Sequence, residues 1–458
     1  MNLFGMTGRP GTTSRPSTTG RPGTTNPLGT GLPVLLIALA LLLPGRGAAA
    51  PGPPDSSDAP PGVLERPAAP GPESASQDSL RLDVDVNGSV RFNVLFRSYG
   101  SDNEPLFPGA PNVESSADHV LGDGGFTFDT FRIGARGSYG RLLFDAEYAL
   151  YPESLGGTFL HHGWVGYKFS DIRQIQVGVS QVPFGIQPYA SSSWFFNNTY
   201  YLGLEDDYDA GIKAIFRPGN WDLQGAYYMN AEQTDFFSGS TAQRYSYDVV
   251  PTTSAAYISA RGVSEAHQLN AKVTYTAAHG ALGSTTVGVS AQRGQLLNEN
   301  TGATDWHAAY AVHLRGRYAG LDVKLEFAQR SMNPPGVDDD RFVVMGAYGL
   351  PNRVASDVDV YSSSLAYHVP VDVGPVSEIK PYYDFSLVTK DVEAWNSNAS
   401  HVVGVLTSAG PLFVYADLIV SKGHPFNQPF DATFPSVLAA QTDNTWRTAF
   451  NVNLGVYF

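Results

Sequence analysis

Charged side chains in this chain recur at positions set between apolar neighbours. Arg91, Arg97, Arg132, Arg136, Lys213, Arg217, Lys272, Arg315, Arg317 and Lys324 fall at such positions, as do Asp83, Asp85, Asp145, Glu147, Asp222, Asp322, Glu326 and Asp384. Fixed charges repeated along a wall attract, repel and steer ions, and low-dielectric surroundings strengthen each of them. The plainer alternative is that they pair across neighbouring strands and keep a polar surface wetted. A second cluster, Glu205, Asp206, Asp207 and Asp209, fits a cation-selecting element, a hard-cation site or a solvated loop end, and Asp338-Asp339-Asp340 offers the same donors. His161-His162 lacks a third ligand at a recognisable spacing and reads as a strand-end pair, so no metal is expected. Bond-making chemistry finds no support. There is no Gly-x-Ser-x-Gly elbow, no His-Glu-x-x-His and no phosphate-cradling loop, and cysteine is absent. The expectation is a chain that handles ions without a cofactor and is not an enzyme.

The elements that carry these charges are strands. In the last stretch Trp446, Thr448, Phe450, Val452, Leu454, Val456 and Phe458 share one parity, and Arg447, Asn451, Asn453 and Tyr457 share the other. Successive strand side chains point to opposite faces, so one face is apolar and one polar, as in a strand between lipid and water. The same alternation runs through 82–97, where Leu82, Val84, Val86, Val90, Phe92, Val94 and Phe96 interleave with polar residues, and again through 174–180, 306–318 and 321–327. No apolar run reaches the roughly 20 residues of a spanning helix, so any membrane passage is by strands.

Connections alternate in length. Short turns fall near Tyr139-Gly140, Ser170-Asp171, Pro218-Gly219-Asn220, Ala278-His279-Gly280, Ala319-Gly320, Val373-Gly374-Pro375 and Ala409-Gly410. Between them lie longer polar stretches near 99–123, 152–159, 182–206, 231–264, 294–305, 331–354, 390–398 and 423–445. This spacing predicts an all-β fold, a transmembrane antiparallel barrel of about sixteen strands over 80–458. Short turns are expected on the periplasmic side and long loops outside, and a barrel of this size leaves an aqueous channel. Parity is ambiguous over 355–369 and 399–408.

Ahead of the barrel, Arg9, Arg15 and Arg21 precede an apolar core from Leu32 to Leu43, followed by Gly47-Ala48-Ala49-Ala50. That order predicts a signal peptide over 1–49, with a long low-complexity leader. Residues 50–79, rich in Pro, Ala and Ser, cannot bury a core and read as a disordered periplasmic tether. Residues 80–458 carry the whole formal charge of −14.

The stretch from Gln181 to Tyr189, Gln-Val-Pro-Phe-Gly-Ile-Gln-Pro-Tyr, leads into an aromatic and Asn-rich run to Tyr201 and then Glu205-Asp-Asp-Tyr-Asp-Ala-Gly211. Together with the strand-turn-strand around Pro218-Gly219-Asn220 and the terminal Tyr457-Phe458, it resembles bacterial outer-membrane porins related to the phosphate-selective porin O and P type. The resemblance covers 80–458 in architecture and about 130–230 and the terminus in motif. It implies a homotrimer and an inward-folded constriction loop carrying Pro183, Phe184, Tyr189, Trp194, Tyr201, Glu205, Asp206 and Asp207. It also implies Tyr457-Phe458 as the signal read by the barrel-assembly machinery. One departure stands out: the 182–206 loop holds no Lys or Arg, whereas phosphate-selective members resemble one another in basic constrictions. The expectation is an integral outer-membrane porin, in contact with lipid, passing small hydrophilic solutes and ions with at most a modest anion preference. Pore-lining bases are Arg91, Arg97, Arg132, Arg136, Lys213, Arg315 and Arg317, and no nucleic acid is a partner. The alternatives are a phosphate- or anion-specific channel and, outside that class, a structural or adhesive barrel.

Overall fold

The computed structural model of the protein describes residues 81–97, 126–232, 242–251, 262–428 and 436–458. The leader, the tether and the connection expected over 99–123 lie outside the described residues. Strands follow one another as β1 (Leu82–Arg97), β2 (Phe126–Tyr139), β3 (Leu142–Leu150), β4 (Thr158–Ser170), β5 (Arg173–Gln181), β6 (Tyr208–Phe216) and β7 (Trp221–Ala231). Next come β8 (Asp248–Val249), β9 (Val263–Ala278), β10 (Gly283–Asn298), β11 (Thr304–Tyr318), β12 (Leu321–Met332), β13 (Phe342–Ala347) and β14 (Leu350–Ala355). The rest are β15 (Val358–Tyr367), β16 (Val369–Val373), β17 (Val376–Lys390), β18 (Asn398–Ala409), β19 (Leu412–Lys422) and β20 (Arg447–Tyr457).

Each wall strand pairs antiparallel with its chain neighbours, and β1 pairs with β20, so the sheet closes on itself. β15 and β16 both lie against β17 and together make one interrupted stave, which brings the barrel to sixteen strands. Among the described residues, closure leaves no free edge in the wall, the hazard that an apolar terminal strand would otherwise present. All seven expected turns join adjacent staves. At Ala319-Gly320 both residues have positive φ, 48° and 94°, the backbone that matches the right-handed twist of a two-residue hairpin.

Parity holds along the wall. In β20, Phe450 and Val456 are exposed while Asn451 and Asn453 are buried inside. The outward face carries Val86, Ile133, Val165, Leu269, Val289, Tyr310, Val403 and Phe458, all exposed and all apolar. Only lipid covers such a surface favourably, so the fold is that of an integral outer-membrane protein. Val403, midway along β18 and 54% exposed, tests this. Val403→Arg is expected to cost about 2–4 kcal/mol in a bilayer, measured by denaturant unfolding from liposomes. Ser408→Arg, of inward parity at the more open turn-side end of the same strand, changes no lipid contact and is the control.

Two parts of the architecture depart from expectation. The stretches expected as plain loops at 231–264 and 331–354 contain a small separate sheet in which β13 pairs with both β8 and β14. This sheet, the 182–207 connection and Val437-Leu438 pack against inward residues of β11, β12, β15 and β17 as one apolar cluster that includes Leu202, Met345, Val354, Val360 and Val388. The loop-side part of the interior therefore carries a packed apolar cluster along its wall, where plain loops were expected. The turn-side half is more open: Asp85 and Arg217 keep side-chain exposures of 57% and 53%.

Candidate functional site

The connection between β5 and β6, residues 182–207, turns inward and follows the inner wall through a series of main-chain contacts. Gly185 N–H donates to Ser290 Oγ at 3.1 Å and Ile186 N–H to Glu326 Oε2 at 2.6 Å. Lys324 Nζ reaches the carbonyls of Tyr189 and Ser191 at 3.2 and 2.7 Å, and Lys272 Nζ reaches Gln187 Oε1 at 2.8 Å. Farther round, Ser192 and Ser193 N–H groups donate to the Asp384 carboxylate at 3.0 and 2.7 Å. Trp194 N–H donates to Asp417 Oδ2 at 3.1 Å, and Asn198 N–H to Ser386 Oγ at 3.1 Å. A loop inside a barrel has orphan backbone donors and acceptors, and the inward polar face of the wall satisfies them. Gly185 shows how tight the seating is: its φ is +51°, and a Cβ there would stand 2.5 Å from Glu326 Oε2.

Of the residues expected in the constriction, Pro183, Phe184, Tyr189 and Tyr201 are buried and Trp194 is half-buried. The acidic run separates into three places. Glu205 folds back into the loop, accepting from Ala190 N–H at 3.0 Å and from the Thr199 hydroxyl. Asp206 accepts from Gln181 Nε2 at 3.0 Å and from the Tyr245 hydroxyl. Burial pushes the Glu205 carboxyl up to about 8, and that of Asp206 also upward. Held by the Ala190 and Thr199 hydrogen bonds, Glu205 works as a brace within the loop, not as a solvated loop end. Asp207 belongs to a separate group with Asp209 and Asp248.

The wall bases are held by partners. Arg91 is 3% exposed, lies 3.0 Å from Asp129 and stacks 4.2 Å over the Trp194 ring. Arg132 lies 3.3 Å from Glu147 and donates to the Tyr151 hydroxyl at 2.8 Å. Lys213 donates to the Gln181 carbonyl at 2.8 Å, Arg136 pairs with Asp85 at 2.8 Å and Arg315 with Asp322 at 2.9 Å. Arg97 is buried and Arg317 half-buried, each with partners of its own. Removing one member of a buried ion pair strands the other, so Arg91→Ala is expected to cost about 3–5 kcal/mol. Arg136→Ala, whose partner is mostly exposed, is expected to cost under about 1 kcal/mol. Thermal unfolding of the two purified variants checks the contrast.

His161 and His162 are both buried although adjacent in β4. The register of β3 against β4 shifts between Glu147 and Tyr148, and such a bulge turns successive side chains to one side. Their Nδ1 atoms lie 2.8 Å apart, with Glu147 Oε1 3.7 Å from His161. Glu147 is the third donor that sequence spacing could not show, and Arg132 already holds it. Asp339 is engaged with Arg341 at 2.8 Å on an exposed turn. Asp417 and Arg330 escaped the sequence reading although both continue the inward parity of β19 and β12. Arg244 and Tyr245 carried no periodic signal, because they lie outside the wall. Tyr457 is buried against Phe413 with ring centroids 5.3 Å apart, while Phe458 is 62% exposed.

No family model matches the chain, and no curated protein matches it. Among solved structures it is similar to the outer membrane channel DcaP of Acinetobacter baumannii, with TM-score 0.51 and 11% identity, over 82% of this chain and 97% of that one. It is likewise similar to Salmonella typhi OmpF in complex with daunomycin, with TM-score 0.51 and 10% identity, again over 82% and 97%. At such identities the likeness is one of fold, and what the chain shares with these proteins is the closed sixteen-stranded barrel of the bacterial outer membrane.

Proposed function

We propose that the protein is a non-enzymatic, porin-like channel for passive diffusion of small hydrophilic solutes and ions, narrowed by the 182–207 loop. The observation that carries this reading is the loop itself, fastened by its main chain to β10, β12, β17 and β19 inside a closed barrel. A purely structural or adhesive barrel has no need of an ordered segment along its inner wall. Selectivity follows from compensation. Arg91, Arg132 and Arg315 each sit within 3.3 Å of a carboxylate oxygen, so little uncompensated positive charge faces a permeating ion and anion preference is at most modest. A phosphate-selective constriction of the O and P type would need bases that the loop does not have.

The remaining expectations join the same proposal. Residues 1–49 are a cleaved signal peptide, 50–79 a tether, and Tyr457-Phe458 the assembly signal. The barrel works as a homotrimer, tested by the migration of an unheated sample on a gel. The decisive measurement is reversal potential across a planar bilayer in a salt gradient, repeated with Arg91→Ala, Arg132→Ala and Arg136→Ala. A small anion-directed potential that moves toward zero in the arginine variants is expected. Absence of conductance would favour the structural reading, and a strong cation preference would place control with the acidic groups.

A further inference from the structure

Where the inner loop rejoins the wall, three aspartates from two segments converge. Asp207 ends the loop, Asp209 lies two residues on in β6, and Asp248 is in β8; one carboxylate oxygen of each lies within 4.8 Å of the other two. All three are enclosed, at 5%, 2% and 1% exposure. Glu232, just past β7, is 3% exposed and points its Oε1 at Ser246 N–H and Oγ, both at 2.7 Å. The polar neighbours do not use up these carboxylates. Arg244 holds Asp248 Oδ2 at 2.9 Å, and Gln268 Nε2 holds Asp209 Oδ2 at 2.9 Å. Asp207 Oδ1, Asp209 Oδ1 and Glu232 Oε2 are buried with no hydrogen-bond partner. A buried, unpartnered carboxylate oxygen is costly, and several facing one another are costlier.

We infer that Asp207, Asp209 and Asp248, with Glu232 beside them, form a calcium-class divalent cation site that fastens the base of the inner loop to the 242–251 segment. The donors are all hard oxygens, which suits calcium and not a soft transition metal. Arg244, ion-paired to Asp248 at 2.9 Å, is one guanidinium facing four carboxylates, and a divalent cation supplies the charge that it alone does not. The ligands come from elements far apart in the chain: the loop end with β6, the residue after β7, and β8. A cation shared by them cross-links the connection that narrows the lumen to the one packed over it. Asp338-Asp339-Asp340 shares the composition without the site: Asp338 and Asp340 are exposed and Asp339 is turned to Arg341.

The test uses the full chain refolded into detergent free of lipopolysaccharide and stripped with EGTA. Calorimetric titration with CaCl2 is expected to give one site per chain with Kd of about 0.1–1 mM, the range of extracellular calcium modules. Terbium luminescence, sensitised by the adjacent Tyr208 and Tyr247, is expected to rise with the same stoichiometry and to be displaced by calcium. Asp207→Asn, nearly isosteric, should weaken binding at least tenfold while the heat-modifiable barrel band remains. Asp338→Asn/Asp340→Asn should bind as the wild type does. The inference is overturned if wild type shows neither heat nor terbium signal. It is equally overturned if folded Asp207→Asn and Asp248→Asn proteins bind undiminished, or if the Asp338→Asn/Asp340→Asn variant loses the site.

Discussion

Asp384→Ala combined with Asp417→Ala is expected to raise single-channel conductance several-fold and make it noisier, with the barrel still folded. Asp384 accepts three hydrogen bonds from Ser192 and Ser193 N–H groups, between 2.7 and 3.1 Å. Asp417 accepts Trp194 N–H and the Tyr382 hydroxyl. Hydrogen bonds to an ionised group contribute about 1.5–3 kcal/mol each, and the donors left behind would be buried without partners. The far end of the loop, around 192–198, would then gain more by meeting water than by staying against the wall. The sheet itself loses nothing, because neither side chain takes part in strand pairing. Asp384→Asn keeps one acceptor oxygen and should give an intermediate conductance. If the double variant runs as a folded, heat-modifiable barrel with unchanged conductance, the loop does not limit the passage.

Deletion of Phe458 is expected to remove most of the outer-membrane yield. Phe458 and Gly88 exchange both backbone hydrogen bonds, at 2.8 and 3.0 Å, at the turn-side end of the seam between β1 and β20. This seam turns a sheet into a barrel, and it joins residues about 370 positions apart, a separation whose closure entropy is recovered only when the whole seam forms. The Phe458 ring also lies on the outward, lipid-facing row. Tyr457→Ala keeps the terminal backbone pair and that outward ring, and loses an inward contact with Phe413. It should assemble, with a lowered thermal midpoint. Heat-modifiable bands in outer-membrane fractions distinguish the two, and equal yields for wild type and the Phe458 deletion would refute the role given to the terminus.

How much of this could be read without coordinates follows from the range of the forces involved. Strand alternation is a local property. The same residue pattern that hides Asn451 and Asn453 exposes Phe450 and Val456 to lipid, so wall, parity, turns and strand number were legible from 80 onward. Even the interrupted stave at β15 and β16, where parity was ambiguous, took its place in the count because the turn at Gly374 marked it. The inward course of the 182–207 loop came from resemblance, and its composition alone did not require it.

What only the tertiary structure decided is which charges meet. Glu205, Asp206 and Asp207 are consecutive, yet Glu205 braces its own loop at Ala190 and Thr199, Asp206 binds Gln181 and Tyr245, and Asp207 joins Asp248. Glu147 reaches His161 only because a bulge in the β3–β4 register turns two histidines inward. The fate of a charge depends on desolvation and on partners brought from other strands, whereas the direction of a strand side chain depends on its own backbone. The packed loop-side cluster has the same origin. Leu202, Met345, Val360 and Leu438 lie in separate segments whose patterns say nothing of one another, and they become one core only after closure of the barrel brings them within a side chain's reach.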